Sequence, residues 1–166
     1  RQEMRRFNRD NGLEWALHKH VLHGLGRRPG SFWSFHWHDH HRACHRNGFV
    51  DPDYRNRPLH WRSGGREWLG LTAVGLVLTP TLRSAPWFFG TLVASGANYF
   101  RVHRRAHLDP RWARANIPWH VDHHMGPHAD ANFCVTQPWF DHLMGTRLPY
   151  VGTARERRDR TRQTPR

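Results

Sequence analysis

Ten of the sixteen histidines in this 166-residue chain fall into four groups whose spacing suits metal ligation: His18 and His23; His36, His40 and His41; His103 and His107; His120, His123 and His124. Imidazole is the commonest protein metal ligand near neutral pH. Positions three and four apart share a helix face, so His103 and His107, and likewise His120, His123 and His124, can converge on one point. In the second group His36 aligns with His40, with His41 one residue beyond, while His38, His41 and His45 form a competing stripe. That leaves His36 and His38 interchangeable on spacing. His18 and His23, five apart, meet only where the helix ends or bends. One ion takes four to six ligands, so ten imidazoles suit two ions. An all-imidazole set accepts Zn, Cu, Fe or Ni. No catalytic group is read beyond the metal ligands.

The elements that must carry these groups read as helices, which makes the chain all-α. Residues 13–24 form a helix closed by Gly24, and Asn11-Gly12 before it is a turn signal. Residues 46–66 are turn-rich. Residues 68–100 then change character: Trp68 to Leu82 and Ser84 to Phe100 carry no charge, and Arg83 stands between them with Pro80 and Pro86 on either side. Each half is marginal for a span of about 20 residues. The stretch is therefore read as a short apolar helical hairpin that dips into or crosses a bilayer and returns. A returning hairpin leaves the histidines before residue 68 and after residue 100 on one side, as a histidine-rich cap. The charged tail, 154–166, is expected to be solvated and flexible, and residues 1–166 are read as one domain.

Composition narrows the function class. The formal charge of +13 suggests an anionic partner. The arginines, however, are spread through loops and tail without a nucleic-acid-binding motif, so no nucleic-acid partner is expected. Nine tryptophans suit a membrane interface. Arg101, Arg104, Arg105 and the basic tail put the histidine side on the cytoplasmic face by the positive-inside rule. Cys44 and Cys134 form no CxxC pair, so neither a disulfide framework nor a thiolate zinc site is expected. The sequence begins at Arg1, which reads as a trimmed N-terminus.

The order HxxxxH, HxxxHH, HxxxH, HxxHH resembles the histidine boxes of the integral-membrane fatty acid hydroxylase and sterol desaturase superfamily. Its flanks are similar as well: Glu14-Trp15 and Gly24 around the first box; Arg42 and the stretch Asn47 to Tyr54 after the second; Asn132-Phe133 and Trp139 to Thr146 at the close. The resemblance runs from about residue 13 to residue 153. It implies a membrane enzyme with two iron ions held by His18, His23, His36, His40, His41, His103, His107, His120, His123 and His124. Such an enzyme uses O2 to hydroxylate or desaturate a C–H bond of a lipid substrate. Electrons would come from an external electron-transfer protein, since no haem-attachment or Rossmann motif is present. Zinc, which has no redox chemistry, could fill the site in a purified sample. Metal-bound histidines usually donate their other N–H to a carboxylate or carbonyl, and His38, Asp39, Asp122, His128, Asn132 and Asp141 are the candidates to stand behind the ligands, with Asp130 also considered. Two alternatives remain: a non-catalytic histidine-rich metal-binding membrane protein, and a carotenoid hydroxylase, whose HDGxVH box is replaced here by His103-Arg104-Arg105-Ala106-His107.

Overall fold

The structure, a computed structural model, describes residues 11–56 and 60–163. Among them every regular element is helical, in agreement with the all-α expectation. The first helix, α1 (residues 11–24), opens as an α-helix and widens to a π-helix over Leu17–Gly24. There the Leu25 N–H reaches back five residues to the His20 carbonyl. After a 3-10 turn at Leu25–Arg27, α2 (residues 34–46) repeats the device in a π-helical stretch, His36–His40, that runs into α-helical His41–Arg46. Asn11 is helical and buried instead of turning. Its side chain donates to the Gln137 carbonyl (2.7 Å) and accepts from the Phe140 N–H (3.0 Å), so a tertiary anchor overrides the local turn signal.

The apolar stretch folds as a hairpin. Helix α3 (Ser63–Val77) leads through a turn and the short α4 (Thr81–Ser84) into α5 (Pro86–Leu108). Pro86 opens α5 where its missing N–H has no helical partner to lose. The hairpin returns: Trp68 and Phe100 pack edge-to-face with ring centroids 5.2 Å apart, and Glu67 on α3 meets His103 on α5. No helix among the described residues is long and apolar enough to cross a membrane. The fifteen residues of α3 extend about 22 Å, short of a hydrocarbon core about 30 Å thick. The last turns of α5 carry Arg101, Arg104 and Arg105 and bury His103 and His107 in the body. The crossing form of the hairpin expectation is therefore corrected: among the described residues the hairpin has the turn, but α3 is too short and α5 too charged to cross.

Two further short helices, α6 (Pro110–Asn116) and α7 (Pro118–Met125), each open on a proline, and Asp109 caps α6 by accepting the Trp112 N–H. A core of Phe49, Tyr99, Ala106, Ala113, Ile117, Val121 and Val135 holds α5, α6 and α7 together. A strap, residues 126–138, then leads to α8 (Trp139–Leu143). The segment expected as a flexible tail is instead helix α9 (Ala154–Gln163). Its Glu156 is buried, pairs with Arg114 and accepts the Gly152 N–H, which pins the helix to α6. Residues 1–10 and 164–166, including the basic N-terminal stretch, lie outside the described residues.

Candidate metal centre

All ten histidines of the four groups are buried, none more than 5 % exposed, and they sort into two nests. In one, a nitrogen from each of His18, His23, His36, His41 and His123 lies within 4.8 Å of every other. In the other, the same holds for His103, His107, His120 and His124, and an overlapping group of His40, Cys44, His107 and His124 brings His40 alongside it. The nests abut, with the His41 and His124 ring centroids 4.3 Å apart.

Backbone type decides which nest each histidine enters. In an α-helix, residues five apart point about 140° away from each other. The π-helical turns close most of that angle, and both five-residue pairs, His18 with His23 and His36 with His41, enter the first nest. The four-residue pairs, His103 with His107 on α5 and His120 with His124 on α7, remain on regular α-helix and enter the second. His40 and His123 are the crossovers, each beside a chain neighbour that serves the other nest. Spacing alone paired His36 with His40; the π turn pairs His36 with His41.

The atoms that face each other are Nε2. In the first nest His18 and His36 stand 2.9 Å apart, His23 and His123 3.1 Å, and His41 lies 3.2 Å from both His36 and His123. In the second, His107 lies 3.1 Å from His103 and 3.0 Å from His120. The outer nitrogens explain the orientation. His107 Nδ1 donates to the Phe49 carbonyl (2.9 Å), and His103 Nδ1 to Glu67 Oε1 (2.7 Å). A neutral imidazole has one N–H, so His107, whose N–H is spent on the Phe49 carbonyl, turns a bare Nε2 lone pair toward His103 and His120. Burial, reinforced by neighbouring imidazoles, holds His18, His36, His41, His107, His120 and His124 well below the ordinary imidazole value, His23 at about 2 and His123 at about 4. Protonation of these eight rings therefore does not relieve the crowding. Four further buried nitrogens, His40 Nε2, His120 Nδ1 and both of His124, have no hydrogen-bond partner. Converging lone pairs and orphaned nitrogens in an all-imidazole nest are the arrangement a cation satisfies, so these clusters can hold metal ions.

The groups behind the imidazoles differ between the nests. Behind the second stand two buried carboxylates. Asp51 Oδ2 accepts from His40 Nδ1 (2.7 Å), and Glu67 accepts both from His103 and, at 2.8 Å, from the Tyr54 hydroxyl. Burial pushes both carboxyls up, but the hydrogen bonds they accept, from His40 and the Asp53 N–H at Asp51 and from His103 and Tyr54 at Glu67, outweigh it and leave both below the usual carboxylate value. The Phe49 carbonyl reaches His107 through a left-handed backbone (φ 82°), a costly conformation for a bulky residue. Behind the first nest stand two carbonyls of the strap: Phe133 accepts from His18 (2.5 Å) and Ala131 from His123 (2.6 Å). Exposed Asp130 lies 3.4 Å from His23 Nδ1, at ion-pair distance but without hydrogen-bond alignment.

Of the residues expected behind the ligands, Asn132 and Asp141 act one step further out. Asn132 takes the left-handed turn (φ 57°) between the two strap carbonyls, and its side chain accepts from the Leu148 N–H and from Arg147. Asp141 accepts the Phe133 and Cys134 N–H groups and fixes the same strap. Asp122 is buried but turned to Arg147 and the Tyr150 and Val151 N–H groups. Asp39 and His128 are exposed, and His38 bonds the Arg27 carbonyl, outside both nests. Sequence reasoning missed Glu67, Asp51 and Cys44. The signal for Glu67 was a lone acid at the mouth of an apolar stretch, and for Asp51 its place in the turn after the second box. Cys44 Sγ lies 3.4 Å from His107 Nδ1 and 4.0 Å from His40 Nδ1. These are the outward nitrogens, and burial keeps the thiol protonated, so Cys44 stands behind the nest and does not point into it. The chain matches no protein-family model, no curated protein and no solved structure.

Proposed function

We propose that the chain is a two-metal oxidoreductase that uses O2 to hydroxylate or desaturate a C–H bond of a lipid, with iron as the working metal. One observation carries this reading: ten buried imidazoles from four sequence groups divide into a nest of five and an adjoining nest of four that His40 joins through His107 and His124. A structural zinc site needs four ligands and no neighbour. Four or five imidazoles leave at least one position of an octahedral ion for an exogenous ligand, and two adjoining ions suit a reaction that moves electrons in pairs. When bound, the irons would supply O2 activation, with electrons from an external electron-transfer protein.

The chain's own residues do the positioning. Glu67 and Asp51 orient His103 and His40, and the strap carbonyls of Phe133 and Ala131 orient His18 and His123. The low exposure of the nests excludes bulk water, which protects a reactive centre from side reactions. Support for a lipid substrate comes from the hairpin, whose tip, at the end away from the histidine body, exposes Leu76, Val77, Leu82, Trp87 and Phe88 around Arg83. Such a hairpin suits an enzyme that sits on a bilayer with its tip in one leaflet and the histidine body on the cytoplasmic side. The histidine order that resembles the fatty acid hydroxylase and sterol desaturase superfamily points the same way.

The test is to load the purified chain with ferrous iron, count the ions, and follow O2 uptake and lipid products with a reductant. Two irons per chain and O2-dependent oxidation of a lipid are expected. Absence of bound metal would overturn the reading. Two bound ions that respond to neither dithionite nor O2 would replace it with a non-catalytic metal-binding protein, a reading favoured by the nearly complete burial of the ligands.

A further inference from the structure

We propose that an arginine-lined cleft at the base of the hairpin binds the phosphate of an anionic phospholipid headgroup. The cleft, of about 670 Å3, lies between the 3-10 turn Pro52–Arg55 and the outer face of α5, opposite the face that carries His103 and His107. Arg55, Arg101, Arg104 and Arg105 line it, with Phe100 and Asp109. Among the described residues none of these four guanidinium groups is in an ion pair. The one carboxylate in the wall, Asp109, already accepts the Trp112 N–H as the cap of α6. Three of the arginines are held in place by neutral partners. Arg104 Nε donates to the Tyr54 carbonyl (2.8 Å), an Arg101 nitrogen donates to Asn98 Oδ1 (2.9 Å), and the Arg105 guanidinium lies 4.3 Å from the centre of the Trp112 ring. Four guanidinium groups lining one cleft, three of them held in place by neutral partners and none in an ion pair among the described residues, make a site for a phosphate, which arginine recognises through its planar fork of donors.

The position of the cleft along α5 selects the source of that phosphate. Phe100, in its wall, ends the uncharged run 84–100, and the exposed apolar tip lies at the far end of that run. From Trp87, 82 % exposed, to Arg101 is fourteen residues of helix. That is about 21 Å at 1.5 Å per residue, which matches one leaflet with its headgroups, about half of a 40–45 Å bilayer. When the tip is inserted into one leaflet, with Arg83 in the turn reaching for water or headgroups along its stem, Arg101, Arg104 and Arg105 stand at phosphate level. A free anion or a nucleic acid would use the arginines but leave the apolar tip without a role. This inference rests on the membrane placement given above and is independent of the metal reading.

The experiment is co-sedimentation of the metal-loaded full chain with vesicles of phosphatidylcholine alone and of phosphatidylcholine with phosphatidylglycerol, using wild type, Arg101→Gln/Arg105→Gln and Arg101→Lys/Arg105→Lys. Wild type should bind both vesicles and prefer the anionic ones. The glutamine pair should bind phosphatidylglycerol vesicles about thirty-fold more weakly, at about fivefold per arginine, with binding to phosphatidylcholine and metal content unchanged. The lysine pair should keep most of the anionic preference. Equal affinity of the glutamine pair for anionic vesicles would overturn the assignment. So would loss of the preference on adding inorganic phosphate at a concentration too low to screen charge, which would make the cleft a free-anion site. Transfer of the arginine dependence to RNA or to an acidic protein would overturn it as well. A wild type that ignores both vesicles removes the membrane placement itself, whereas the metal count in the same sample reports separately on the oxidoreductase reading.

Discussion

The nest around His123 takes its paired histidines five residues apart from π-helical turns, whereas the nest around His124 takes its pairs four apart from regular α-helix. The same division runs outward. Neutral strap carbonyls and an exposed Asp130 stand behind the first; buried Asp51 and Glu67 stand behind the second. Carboxylates that accept the outer N–H make an imidazole a more basic ligand, and two buried negative charges lower the energy of a cation nearby far more than screened surface charges do. The second nest should therefore bind its ion more tightly and favour the more highly charged state. Two sites built from one residue type thus become electronically unequal through what touches the far side of each ring.

The largest effect should come from the two adjacent histidines that serve different nests. His123→Ala should remove the ion of the first nest and His124→Ala that of the second, each leaving one of two ions and no turnover. Elemental analysis of the reconstituted variants checks this. Loss of both ions from either variant, with the fold intact by circular dichroism, would mean that the nests are one cooperative site. Next in size are Glu67→Gln and Asp51→Asn. Each should weaken metal binding at the second nest by about 10–100-fold, the usual effect of losing such a partner, without changing the first. The comparison sharpens in the His124→Ala background, where Glu67→Gln should have no further effect on metal titration.

How much of this was legible in the sequence depends on which residue is asked. The ten histidines announced themselves by type and spacing, and the returning hairpin by Pro80, Arg83 and Pro86. The division into nests was not legible, because it turns on a change of helical winding that places His41, not His40, beside His36. No propensity scale marks that change; it is fixed by which rings must converge. Glu67 and Asp51 escaped notice because a carboxylate's partner lies across the fold, thirty-six residues from His103 in one case and eleven from His40 in the other. The strap carbonyls of Ala131 and Phe133 are invisible to any reading of side chains. Asn132 was picked out, but it shapes the turn that aims those carbonyls and does not itself touch a ring. The tail failed for the opposite reason: its charge predicted solvation, and one buried acid, Glu156, was enough to dock it.

Acid should separate the metal-free fold from the loaded one by a smaller, graded effect. His23 and His123 are held neutral by burial, at about 2 and about 4 against an ordinary value of 6.5. A folded-state value below the unfolded one means that the unfolded chain takes up protons first. This part of the stability is intact above pH 6.5 and falls as pH drops through the window toward 4, by at most about 1.4 kcal/mol per pH unit for each such imidazole. Thermal melts of the metal-free chain should show a Tm that declines steadily from pH 6.5 to pH 4.5. A flat profile would show that the rings are solvated and the nests open.

The smallest effect expected is at Asp130, and its size decides how unequal the nests are. This carboxylate is 58 % exposed, is shared with Arg27, and stands 3.4 Å from His23 Nδ1. Screening by water and the competing guanidinium leave it little hold on the imidazole. Asp130→Asn should therefore weaken metal binding at the first nest by no more than a few-fold, well under the effect of Glu67→Gln at the second. If calorimetric titration showed equal losses, burial of the outer carboxylates would not be what distinguishes the sites. The difference would then lie in the helical winding that delivers the rings, the one remaining feature that separates the His123 nest from the His124 nest.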